Sequence, residues 1–133
     1  MDYETLCEYL DGKTAARRDM PFGPDALVYK VLDKMFALVA WQEDPLTISL
    51  KADPTDAVIL RKQYPAVKPG YHMHKKHWNT VTLDGSIPDD EIYLMIDESF
   101  DLVVKGMARA KQQQLRLKGW QPHGKNTRQN PNH

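Results

Sequence analysis

The chain has 133 residues, 41% of them apolar and 27% charged, with 18 Lys and Arg against 18 Asp and Glu. That composition fits one globular domain and excludes a disordered chain, and a net charge of zero gives the whole molecule no electrostatic pull on nucleic acid. The single cysteine, Cys7, excludes an intramolecular disulfide, and the longest apolar run, Met35 to Trp41, is too short to span a bilayer, so the expected setting is reducing and cytoplasmic.

Asp2 to Asp11 carries Tyr3, Leu6, Cys7 and Leu10 at the spacing of a short amphipathic helix. Asp2 suits the N-cap and Gly12 the stop. Cys7 lies on the apolar stripe, as a small core residue does. Lys13 to Met20 reads as a polar edge strand, and Pro21-Phe22-Gly23-Pro24 as a turn. Ala26 to Val31 and Lys34 to Trp41 are strands joined by a tight turn at Leu32-Asp33. The second is apolar on both faces, Met35, Ala37 and Val39 against Phe36, Leu38 and Ala40, which places it inside a sheet. Leu46 to Lys51 alternates as a third strand after a turn at Gln42 to Pro45. Connections this short predict antiparallel pairing.

Asp53-Pro54 starts a helix that runs to about Tyr64 and ends at Pro65. Tyr71 to Met73 and Trp78 to Leu83 read as strands around a turn near His74 to Lys76. Pro88 to Val104 is the longest helix, buried along Ile92, Met95, Ile96, Ser99, Leu102 and Val103. Its pattern continues past Gly106 to about Leu117. The expected organisation is an α+β domain over residues 1–117, a two-layer sandwich with helices on one face of a mainly antiparallel sheet. A disordered basic tail is expected over 118–133. Residues 1–101 hold all 18 acids and 11 of the bases, whereas 102–133 hold seven bases and no acid.

The least generic stretch runs from Pro69 to Val81. His72, His74 and His77 invite a metal reading, but no cysteine is near and no HExxH helix is present. No metal or other cofactor is expected. No nucleophile elbow, P-loop or dinucleotide fingerprint occurs, so neither catalysis nor a small-molecule substrate is expected. Ser99 is expected to bond back to its own helical turn. A nucleic-acid reading has more to stand on. Lys75 and Lys76 at a hairpin tip meet phosphates, with Lys68, Arg61 and Lys62 widening the basic patch. Trp78, Tyr71 and the histidines offer stacking surfaces. The competing reading makes Trp78 a core anchor and the two lysines a solubilising turn.

Several pieces together resemble the MmcQ/YjbR family: Pro21-Phe22-Gly23, Val28-Tyr29-Lys30-Val31, Lys34-Met35-Phe36-Ala37-Leu38 and Ile48-Ser49-Leu50-Lys51. The most specific are Pro69-Gly70-Tyr71-His72-Met73 and Lys75-Lys76-His77-Trp78-Asn79-Thr80-Val81, and Ser99 with Leu102-Val103 also fits. The likeness covers about residues 1–105. It implies a CyaY-like, frataxin-like α+β fold and a DNA-binding role with a winged mode of contact. The candidate nucleic-acid-contacting residues of this segment are Lys68, His72, His74, Lys75, Lys76, His77, Trp78 and Asn79. The family usually has Asn at position 74, and the basic segment after Lys105 lies beyond its usual end. Two other expectations remain open. One is iron binding through Asp2, Glu4, Glu8 and Asp11 on the first helix, as the fold suggests; the other is a protein-interaction module using exposed aromatics. The expected protein is a monomer with no membrane partner.

Overall fold

A computed structural model describes residues 1–70 and 73–122. The elements in order are α1 (Tyr3–Asp11), β1 (Ala16–Asp19), β2 (Leu27–Val31), β3 (Lys34–Ala40), β4 (Thr47–Lys51), α2 (Pro54–Gln63), β5 (Val67–Pro69), β6 (Trp78–Thr82), α3 (Asp89–Lys105) and α4 (Arg109–Leu117). The strands form one six-stranded sheet in the order β1-β2-β3-β4-β6-β5, with every neighbouring pair antiparallel. This is the expected α+β two-layer arrangement. No helix among the described residues is long and apolar enough to cross a membrane.

Local chemistry sets the element ends. The Asp2 carboxylate accepts from the Thr5 N–H at 2.8 Å and Asp53 from the Thr55 N–H at 3.0 Å, each satisfying a donor that a helix start leaves open. The β2–β3 hairpin has only Leu32 and Asp33 between its paired ends, both with positive φ (45° and 68°). A two-residue turn of that hand matches the twist of its strands.

One register row lies on the helix side: Leu27, Val39, Ile48, Val81 and Val67 pair in succession across β2, β3, β4, β6 and β5, all at most 2% exposed. Fully burying an aliphatic side chain of this kind stabilises by about 1.5–3 kcal/mol. Helix α3 lies along β3 and β4, where Phe36 meets Phe100 edge-on at 5.1 Å and 82°.

A bulge alters the simple alternation expected for β3. Tyr29 pairs with Ala37 and Lys30 with Met35, so Phe36 is an extra residue opposite the Tyr29–Lys30 step. Phe36 therefore joins Ala37 and Val39 in the buried core, while Met35, Leu38 and Ala40 share the other face.

Two further expectations are corrected. Ser99 does not bond to its own turn. Its hydroxyl donates to the Phe36 carbonyl at 2.6 Å and accepts from the Lys51 N–H at 2.8 Å, tying α3 to two strands. The packed body also continues past residue 117. Leu115 is fully buried, and Trp120 is 5% exposed with its indole N–H donating to Asp101 at 3.0 Å. Residues 123–133 of the expected tail lie outside the described residues.

Candidate functional site

The stretch that stood out in the sequence forms the β5–β6 edge of the sheet and its connection. The strand that pairs with β6 here is β5, Val67–Pro69; the strand expected over Tyr71 to Met73 lies mostly outside the described residues. Tyr71 and His72 lie outside the described residues, and Met73 is in a bend.

The base of the connection is tightly held. The Gly70 N–H donates to the Trp78 carbonyl at 2.7 Å. A Cβ on Gly70 would stand 2.7 Å from the Trp78 Cβ and 2.9 Å from its carbonyl oxygen, so only glycine allows this approach. From α2, the Arg61 guanidinium donates to the Asn79 side-chain oxygen at 2.7 Å, to the Trp78 carbonyl at 3.4 Å and to the Lys75 carbonyl. Asn79 is 2% exposed, and its amide donates to the Ala57 carbonyl at 3.3 Å. The expectation that Asn79 contacts phosphate is thus corrected: its side chain joins the sheet edge to α2. Trp78 is half-buried and pairs with Lys51 of β4, in keeping with an anchoring role.

The tip is a different environment. Residues His74 to His77 make a turn in which the His77 and Trp78 N–H groups both donate to the His74 carbonyl at 3.0 Å. The His77 carbonyl accepts from the Ala52 N–H at 2.9 Å, which pins the turn to the end of β4. The His74 and His77 rings lie 4.8 Å apart at 43°. His74, Lys75 and Lys76 are exposed and His77 is half-buried. Lys68 on β5 and Lys62 at the end of α2 are exposed as well. From residue 57 to residue 83 the chain has no Asp or Glu and five bases, Arg61, Lys62, Lys68, Lys75 and Lys76. The geometry therefore brings Lys75, Lys76 and His74 together on one rigid turn and removes Asn79 from the residues available to phosphate. Arg61 was placed in the basic patch by sequence, but it is the clamp beneath it. Its position two turns into a helix gives no hint of that role.

No group of three His, Cys, Asp or Glu residues among the described residues is placed to hold a metal ion. On α1, Asp2 is engaged as the cap. Asp11 is bridged by Arg18, whose guanidinium holds its carboxyl below the usual carboxylate range.

A second feature has no counterpart in the sequence pattern. On the face of the sheet away from α3, Val28, Leu38, Ser49, Thr80 and Lys68 form a register row across five strands. Part of that row floors a groove of about 780 Å³, lined also by Phe22, Met35 and Met73. Phe22 is 73% exposed at its rim. The Ser49 and Thr80 hydroxyls are hydrogen-bonded at 2.8 Å on the floor. The β3 bulge hid this surface, because it assigns Met35 and Phe36 to faces that strict alternation reverses.

Comparison with known proteins places the chain. The YjbR family model matches residues 12–102. The uncharacterized Escherichia coli K12 protein YjbR is 36% identical over 115 residues, spanning 86% of this chain and 98% of that protein. The uncharacterized protein YbdF of Escherichia coli O157:H7 is 38% identical over 96 residues, 72% of this chain and 79% of its own. The crystal structure of Deinococcus radiodurans protein DR2400, a DUF419 domain, superposes with a TM-score of 0.81 at 37% identity, covering 92% of this chain and 96% of that one. Coverage that broad runs past Lys105, whereas the family model ends at residue 102. The chain belongs to the MmcQ/YjbR family.

Proposed function

We propose that the protein is a non-catalytic nucleic-acid-binding module that contacts phosphates through the turn at His74 to His77. The observation that carries this reading is the exposure of Lys75 and Lys76 on a turn whose backbone is clamped by Arg61 and Ala52, inside a stretch with five bases and no acid. A clamped turn loses little conformational freedom when it docks, so less of the attraction is lost to ordering. Lys62 at the end of α2 and Lys68 on β5 are exposed and belong to the same acid-free stretch. Trp78 supports the turn rather than stacking on bases. Because the net charge is zero, attraction is local to this edge, and binding is weak and sensitive to salt.

The test is a titration of a labelled DNA duplex with the full chain at low salt, alongside a chain carrying Lys75→Glu and Lys76→Glu. Saturable binding that the double variant loses, with amide shifts concentrated over residues 73–78, is the expected result. A chain ending at Pro122 binds within about twofold of the full one, since the seat of binding is the turn. No binding at low salt, equal binding by the double variant, or loss on removing residues 123–133 would overturn the reading.

A further inference from the structure

The groove on the open face of the sheet shares only Lys68 with the basic stretch around the turn, and its chemistry is of another kind. Its floor and walls are mainly apolar: Met35 and Leu38 from β3, Phe22 from the β1–β2 connection, Met73 from the β5–β6 connection. At about 780 Å³ it falls within the size range of small-molecule sites. Polar groups enter it at few points. One is the Ser49–Thr80 hydroxyl pair on the floor. Another is Lys68, next to Thr80 in the register on the edge strand and exposed. Its ammonium makes no ion pair among the described residues. The acid in the lining, Glu43, sits in the β3–β4 connection, past Ala40 and Thr47 at one end of those strands. The groove thus has an apolar middle and a cation at its β5 edge, with one acid, Glu43, in the connection past the ends of β3 and β4.

We propose that this groove binds a small amphipathic carboxylate, with its head at Lys68 and the hydroxyl pair and an apolar body of about a dozen carbons over Leu38 and Met35 beneath Phe22. The apolar lining supplies most of the affinity, because it loses water when covered. Lys68 sets the sign of the head group. The register partners from Lys68 through Thr80 and Ser49 to Leu38 run across the strands, and Met35 extends the apolar surface along β3.

The test uses dodecanoate below its micelle concentration, with dodecyltrimethylammonium as the cationic counterpart, titrated into the full chain and followed by amide shifts. Saturable dodecanoate binding is expected, with shifts at Leu38, Ser49, Thr80 and Lys68. The cationic amphiphile binds about tenfold more weakly, and Lys68→Glu weakens dodecanoate about tenfold, as expected when a favourable charge pairing at the head is replaced by an unfavourable one. Phe22→Ser, at an exposed position that the fold does not need, weakens both amphiphiles about equally. Equal binding of the two amphiphiles, an unaffected Lys68→Glu variant, or shifts away from the groove would overturn the proposal. So would a sedimentation mass of two chains with groove amides unmoved by dodecanoate, because a second copy would then cover this face.

Discussion

The base and the tip of the β5–β6 connection lie within ten residues of one another and are built on opposite terms. At the base, the Gly70 and Trp78 backbone groups and the Asn79 amide are paired and Gly70 and Asn79 are buried, and Arg61 reaches across from α2 to complete the set. At the tip, His74, Lys75 and Lys76 face solvent. The backbone of the tip is as well held as that of the base, through the Lys75 carbonyl and the His77 carbonyl. Substitutions at the tip should therefore act on binding alone, and substitutions at the base first on stability, reaching binding only where they also release the turn's clamp.

The largest effect should come from Gly70→Ala. The added methyl has to displace the Trp78 backbone, and urea unfolding should show a loss of about 1–3 kcal/mol or more. Arg61→Ala comes next. It leaves the Asn79 oxygen buried without its donor, and the same measurement should show a loss of about 1–3 kcal/mol, together with weaker duplex binding because the turn loses its clamp. Lys75→Ala with Lys76→Ala should change stability by less than about 0.5 kcal/mol, as exposed substitutions away from packed features do. A larger loss there would erase the division between base and tip.

An acid titration far from the segment provides another small expected effect. Arg18 holds the Asp11 carboxyl below its ordinary range, so the folded chain keeps it ionised at pH values where the unfolded chain protonates it. The stabilisation is fully present above the unfolded value, near pH 4, and is lost as pH falls through the folded value. Both side chains are nearly half exposed, 48% and 45%, so the contribution is below about 1 kcal/mol. Asp11→Asn should flatten that part of the stability profile without touching duplex binding.

Most of the element order was legible because its signals are local. Asp53-Pro54 is a helix start by itself, and Leu32-Asp33 is a turn between two apolar strands. What escaped depended on distant partners. The β3 bulge arises from pairing with β2, so the face of Met35 could not be taken from its own neighbours. Ser99 finds its partners in β3 and β4 rather than in its own turn. Trp120 is surrounded by polar residues in sequence and is drawn in by α3 through Asp101. The tip of the candidate site was legible because Lys75 and Lys76 need no partner to be exposed. Its base was not, because Asn79 and Arg61 acquire their roles only through each other.

The most direct measurement is the slope of log binding constant against log salt concentration for a DNA duplex, taken for the full chain and for the Lys75→Ala, Lys76→Ala chain. Each phosphate contact contributes about −0.9 to that slope, so the double variant should lose close to two units of it while keeping its unfolding midpoint. A slope unchanged by the double substitution would contradict the assignment of phosphate contact to this turn.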